Sequence, residues 1–558
     1  MARGRGQGRQ QARAAAPVTD APGRWVVTLV MVAAVVAFAG SLRNQFTYDE
    51  GLVIGEADGF LRSGALAPLV SPQYFAASRE GTYRPVVTLT YMIDRAFGEA
   101  PFIFKADSLL LHVGCGLLVL ALARRLLPEN QRRFAVVAAL LFAVHPLATE
   151  TVDNASFRED ALVTLLVVGA LLLALAGRSA LAAVAYALAL LSKESAVVFP
   201  LLLIGARLCV GRGDQGAAPT VPSRKAFARE LAVLGAITVA YLIVRFGPMN
   251  TPGSYARFAG GTRGATLLGM PAVLAHDARL IVWPWPLLAD YSGYFDFGPR
   301  PLLARLPAFA LLAALVAAPV VAWRRRATVV AFGVAWFLIA LLPVSNVIAI
   351  PVPAAERFLY LPLVGVALAI AAGAAWAVQR WPRARLSLQG LGIAAGIAFI
   401  AVANRRHLDW HDNDRLWAVT AATNPRSCGA QSAIGGARLR DGLASHSRVA
   451  LEESVAHQQR ALQLCPPDPA DPGHGSAMLT RLGAARALLG ELRPAREALQ
   501  QALALEPRQA LAVVWLGYVQ FLDGDRRAAE ASLRRAVIEL GPPDRAVAEV
   551  ASQYMDRL

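Results

Sequence analysis

Charge is scarce in this 558-residue chain. Asp, Glu, Lys and Arg make up 17% of it and hydrophobic residues 56%, against about a quarter charged in ordinary soluble domains. With a mean hydropathy of +0.44, an ordinary soluble domain is excluded. Acid is scarcer than base: 39 Asp and Glu stand against 55 Lys and Arg, a formal charge of +16. In a soluble protein that excess would point to nucleic acid. Here the Arg residues cluster between apolar runs, which is a signature of membrane topology. No nucleic-acid motif is present, so nucleic acid is excluded as a partner. No tight His/Asp ligand cluster is visible either. A divalent metal is compatible with the chemistry below but not demanded by it. Cysteine is nearly absent, with four in the chain.

What the chain has in abundance is apolar runs near the roughly 20 residues that cross a bilayer as a helix. Met1 to Arg13 carries four Arg and no acid. It predicts a cytoplasmic tail, residues 1–23, ahead of a retained anchor. Spans are expected at about 24–41, 102–122, 134–145, 161–176, 180–191 and 196–209, and further on at 231–245, 302–322, 328–343, 357–378 and 388–403. Arg124, Arg125, Arg132 and Arg133 mark one inner loop, and Arg324 to Arg326 another. Ala265 to Pro286 is apolar too, but His276, Asp277 and Arg279 lie in its middle, where charge is expensive. It is therefore expected to lie along the interface. The result is an all-α membrane domain of about 11 spans over residues 24–404, with the N-terminus inside. The Ala- and Arg-rich composition suggests a bacterial inner membrane.

Residues 405–558 change character and contain a repeat. Gly483, Gly490, Ala495 and Ala502 recur 34 residues later as Gly517, Gly524, Ala529 and Ala536. Thirty-four is the tetratricopeptide period, with small residues where paired helices touch. Gly435, Gly442, Ala461 and Pro466 mark an earlier unit stretched by seven residues. Eleven spans put these repeats outside the cytoplasm. Cys115 and Cys209 fall in spans as inert thiols. Cys428 and Cys465 fall at opposite ends of the stretched hairpin, where a bridge is within reach if their Cα atoms lie within about 7 Å. Two unrelated buried thiols are the alternative.

The polar residues at the span ends gather on the outer side. Thr47-Tyr48-Asp49-Glu50 follows the first span. Arg84, His145, Glu150, Asn154, Arg158, Lys193, Glu356 and Arg357 share that side. Glu150, Asn154 and Arg158 are four apart and would share a helix face. The plainer readings are a salt-bridged face for that trio, snorkelling for Lys193 and Arg357, and a span terminator for His145. The chemical reading is that Arg and Lys hold a lipid phosphate while a carboxylate serves as general base for an attacking hydroxyl. Asp49 is the expected base, with Glu50 orienting it or the acceptor. Arg84, Arg158, Lys193 and Arg357 are the expected phosphate ligands. His145, Glu150, Asn154 and Glu356 would support them.

Tyr48-Asp49-Glu50, Tyr83-Arg84-Pro85, His145-Pro146 with Glu150, Val152, Arg158 and Asp160, then Lys193-Glu194, follow one another along the chain. Pro286-Leu287-Leu288 with Asp290-Tyr291-Ser292, Glu356-Arg357 and Leu359-Tyr360-Leu361-Pro362 continue the series. In order and spacing these motifs, ahead of terminal repeats, resemble the transmembrane and tetratricopeptide-repeat O-mannosyltransferases of the GT-C class. The resemblance implies a polyprenyl-phosphate-linked hexose as donor, mannose being one candidate. It implies an acidic base in the first outer loop and a protein acceptor docked by the repeats. The family usually shows Asp-Asp where this chain has Asp49-Glu50, and the array here is about three units long. A lipid or glycan acceptor, or a non-catalytic scaffold, are the competing readings. A transporter would place charge deep in its spans and often shows inverted halves, and neither is present.

Overall fold

The computed structural model describes residues 23–212, 223–250, 258–299, 301–469 and 472–539. The basic tail expected at 1–23 lies almost wholly outside them. Every regular element among the described residues is helical.

Each of the eleven expected spans falls on an apolar helix. Eight helices are long and apolar enough to cross a membrane, from Arg24–Arg43 to Pro382–Asp409. A bent pair, Glu129–Val144 with Pro146–Asp153, would make a ninth. Glu159–Leu175, Ser179–Leu190 and Thr328–Val344 are shorter apolar helices. Arg263–Val282 is among the eight and is the least apolar of them. Its length and composition therefore also allow the crossing that its His276, Asp277 and Arg279 argue against.

The helices sort by what surrounds them. Pro101–Leu126, Ala135–Val144, Glu159–Leu175 and Tyr360–Arg380 contribute most of one core, with Phe142, Val167, Leu171 and Leu368 fully buried. Leu303–Arg324 instead has none of its apolar window buried, and Pro382–Asp409 only 6%. Exposed Val316, Val320, Leu391 and Ile397 are tolerable only against hydrocarbon. Thr328–Leu341 and Tyr360–Arg380 cross backbone to backbone at Gly333 and Gly365. A Cβ on either would collide with the other's carbonyl oxygen. Small residues are what bilayer helices use to approach so closely.

Three helical hairpins follow: Cys428–Ser445 with Arg448–Leu464, Pro472–Leu488 with Leu492–Leu505, and Ala510–Leu522 with Arg526–Arg534. The 34-residue period has a physical basis. Gly483 faces Leu499, and 34 residues on Gly517 faces Leu533. In the stretched unit Gly442 faces Leu451 and Gly435 faces Gln458. The added residues lengthen both helices of that hairpin beyond their counterparts. Cys428 and Cys465 form a disulfide with Cα atoms 5.9 Å apart, and Cys115 and Cys209 are free and buried.

Candidate active site

The Asp49 loop is stapled from two sides. Asn44 donates to Asp153 Oδ1 and to the His407 carbonyl, both at 3.2 Å. The Gln45 amide donates to the His411 carbonyl at 2.8 Å. Asn154 Nδ2 donates to the Thr47 carbonyl at 3.1 Å. Tyr48 has φ of 56°, a left-handed conformation that is unfavourable for a bulky side chain. Two groups hold it there. Its amide donates to Asn413 Oδ1 at 2.9 Å, and its ring stacks on Trp417 at 5.1 Å. Both belong to the helix Asn413–Thr423, which links the last apolar helix to the repeats.

This geometry separates the two adjacent carboxylates. Asp49 lines a cleft of about 620 Å³ that runs between the loop and the repeats, past Asn413, Trp417, Ser432 and Arg481. Its carboxylate forms no hydrogen bond or ion pair among the described residues. Asp49 is exposed to solvent on the cleft side, while protein closes round the loop on the membrane side. That burial pushes its pKa up to about 6. Arg357 and Arg84 pull the other way, while Glu159 and Glu50 add to the rise.

Glu50 is fully buried instead. Lys105 Nζ contacts both of its oxygens, at 2.6 and 2.7 Å, and the amides of Thr47 and Ala155 donate to them at 2.7 and 2.5 Å. Lys105 also donates to the Asp153 carbonyl. Of the two roles expected for Glu50, orienting Asp49 or orienting the acceptor, its burial fits the first. Lys105 and the two amides make four contacts that occupy both oxygens beneath the loop, a place from which Glu50 positions Asp49.

Behind Asp49 lies a belt of paired charges. Arg84 bonds Glu159 at 2.7 Å and Glu194 at 3.3 Å. Lys193 bonds Asp160 at 2.5 Å and Glu159 at 3.4 Å. Arg357 pairs with Glu150 through its guanidinium and through its amide at 2.7 Å, and lies 4.0 Å over the Phe157 ring. Arg84 and Arg357 keep 15% and 13% of their side chains exposed and Lys193 5%, so the two Arg present more to an incoming anion.

Arg158 departs from its expected role. It is fully buried, bonded to Asp94 at 2.5 Å, Asp107 at 2.9 Å and the Phe104 carbonyl at 2.7 Å, with no face left for a phosphate. The shared helix face of Glu150, Asn154 and Arg158 is corrected with it. The helix ends at Asp153, and Asn154 is extended, with its side chain accepting from the Ser156 amide. Glu150 and Arg158 therefore reach different partners.

The supporting residues fix loops. His145 Nε2 contacts the Ile281 carbonyl at 2.9 Å, and Glu356 takes the Leu288 amide, Tyr291 OH at 3.3 Å and Arg406 at 3.5 Å. Sequence reasoning missed Lys105, Asp153, His407, Asn413 and Trp417. A lone Lys just inside a span was the one available signal. Among the described residues, no three His, Cys, Asp or Glu side chains gather as a metal site.

No family model matches the chain. It is similar to the protein O-mannosyl-transferase Tmtc1 of Drosophila melanogaster, 24% identical over 533 residues, covering 76% of this chain and 60% of that protein. The human protein O-mannosyl-transferase TMTC4 is 28% identical over 167 residues, 27% of this chain and 22% of that one. Human TMTC1 is 38% identical over 86 residues, 15% of this chain and 10% of its own. The chain thus spans about 60% of the fly relative's length and much less of the human ones. The solved Cut9-Hcn1 hetero-tetramer of the APC/C overlaps 87% of this chain and 98% of its own at 14% identity, but a TM-score of 0.24 carries no argument. With its apolar helices, its 34-residue helical hairpins and these relatives, the chain is TMTC-like, similar to the transmembrane and tetratricopeptide-repeat O-mannosyltransferases.

Proposed function

We propose that the protein is a membrane-embedded glycosyltransferase. It moves a hexose, mannose being the first candidate, from a polyprenyl-phosphate donor to a protein hydroxyl on the extracytoplasmic side. The observation that carries this reading is the unpaired Asp49 carboxylate. It opens into a cleft bounded by the repeats and is backed by Arg84, Lys193 and Arg357. The relatives' names support a protein acceptor and a mannosyl group. The Cys428–Cys465 bridge supports an oxidising, extracytoplasmic setting for the repeats.

The chemistry needs few parts. An acceptor Ser or Thr hydroxyl enters the cleft and donates a hydrogen bond to Asp49. Asp49 takes the proton as the oxygen attacks the anomeric carbon. The bond from that carbon to the phosphate oxygen breaks, with inversion. Arg84 and Arg357, with Lys193 behind them, stabilise the charge that grows on the departing polyprenyl phosphate. No covalent enzyme intermediate is required. Glu50 and Lys105 hold the loop from below.

The test is Asp49→Asn in purified protein supplied with undecaprenyl-phosphate mannose and Ser/Thr peptides. The substitution keeps shape and removes the base, so turnover should fall by about 10² or more while the protein stays folded. Turnover within a few-fold of the unaltered protein overturns the assignment. Sugar transfer to lipid or glycan alone would move the acceptor class.

A further inference from the structure

The cleft that ends at Asp49 has a second charge without a counter-ion. Its lining acids and bases mostly cancel. Arg438 pairs with Asp441 at 3.1 Å, and Arg440 with Asp414 at 3.9 Å. Among the described residues two lining ions have no ion-pair partner. One is Asp49, at the membrane-domain end. The other is Arg481, on the first helix of the second hairpin, Pro472–Leu488.

Arg481 is held in a built position. Its stem and guanidinium lie across Gly436, where a Cβ would stand 3.5 Å from Nε. Nη1 donates to Ser432 Oγ at 2.9 Å, so one of five guanidinium donors is used on the protein. Burial and the neighbouring Arg440 both work against its charge. A guanidinium so placed, facing a cleft and without a carboxylate, gains from any anion that enters.

We propose that Arg481 is a specificity site for an acidic side chain, Asp or Glu, of the acceptor polypeptide, a few residues from the hydroxyl presented to Asp49. The inference rests on the functional reading above. The donor phosphate is the less suitable occupant. Arg481 sits in the second hairpin, with the helices Asn413–Thr423, Cys428–Ser445 and Arg448–Leu464 between it and the last membrane-length helix, Pro382–Asp409, along the chain. The belt cations Arg84, Lys193 and Arg357 already lie at the membrane end. An extended polypeptide suits the space between, which Trp417, Gly429, Ala433 and Gly436 line.

The experiment uses the full chain in detergent with undecaprenyl-phosphate mannose. One Thr-containing peptide carries Glu at each flanking position in turn, with Gln at the same position as its partner. One register should favour Glu over Gln in kcat/KM by about tenfold, mostly through KM. Arg481→Gln should erase that difference. Arg481→Lys should keep part of it, and Arg481→Glu should transfer the preference to a Lys peptide. Transfer to peptides with no register favouring Glu by twofold overturns this inference and leaves the function standing. So does a preference that survives in Arg481→Gln. Loss of affinity for the lipid donor in Arg481→Gln, with peptide KM unmoved, assigns the site to phosphate and overturns it too. No transfer to any peptide by the unaltered protein defeats the functional reading itself.

Discussion

Replacing Lys105 with Met should cripple folding, although Lys105 is far from any solvent. Its ammonium and the Glu50 carboxylate are both completely buried, 2.6 Å apart. At an effective dielectric of about 20, their attraction is roughly 6 kcal/mol. Withdrawing two ions from water costs several kcal/mol each, so the intact pair contributes little net. Removing one member is different. Lys105→Met leaves a buried carboxylate with the Thr47 and Ala155 amides alone, and orphans the Asp153 carbonyl. The expected loss is about 3–5 kcal/mol, a large share of the roughly 5–15 kcal/mol that typically holds a folded chain together. Glu50→Gln alone should also destabilise, because a neutral amide now faces the ammonium. The double variant Glu50→Gln/Lys105→Met removes both charges and keeps an acceptor for one amide, so it should recover roughly 2 kcal/mol or more. Graded denaturant unfolding in mixed micelles reads the three stabilities. Turnover should return with stability in the double variant, because Glu50 acts only through the loop. Lys105→Met as stable as the parent would refute the reasoning. So would a well-folded double variant with no turnover, because Glu50 would then have to act on substrate.

Two further outcomes follow from the loop. With the Asp49 pKa near 6, the base is ionised above that value and protonated below it. kcat/KM should be flat above about pH 7 and fall tenfold per unit beneath about pH 6; an acid limb near pH 4 contradicts the burial argument. Asn413→Ala removes the acceptor for the Tyr48 amide and should lower kcat by about tenfold with little change in KM. Asn413→Asp retains an acceptor, so it should keep turnover above pH 7 and move the acid limb upward. A variant whose kcat does not change shows that the left-handed Tyr48 needs no support from that helix.

The parts legible in the sequence are those with a local signal. Apolar runs marked the apolar helices, a 34-residue period marked the hairpins, and two cysteines at hairpin ends put a bridge within reach. Asp49 stood out as a candidate because it is an acid just beyond an apolar run. Glu50 has the same local description and the opposite fate. The difference is Lys105, 55 residues away, and the Ala155 amide, 105 away. Arg158 was misread for a similar reason, since its partners Asp94 and Asp107 come from two earlier helices. Residue type and spacing predict what a side chain can do. Which buried neighbour claims it is set by tertiary packing, and pairings such as Glu150 with Arg357, 207 residues apart, leave no local mark.

Helical-repeat arrays are often exchanged between proteins as cassettes, and hydropathy would place the cut here near residue 405. The mechanical seam lies elsewhere. His407, His411 and Asn413 hold the Asp49 loop. Ser427 donates to Asp290 Oδ2 at 2.5 Å and Asn424 to the Ser292 carbonyl at 2.9 Å, while Gly293 fits against the Arg426 carbonyl where no side chain would. Residues 407–429 therefore belong mechanically to the membrane part, whatever their polarity. A chimera joined at 405 would import a foreign support for the reacting carboxylate. One joined within the turn at 465–469 would change the cleft's far wall and leave that support in place.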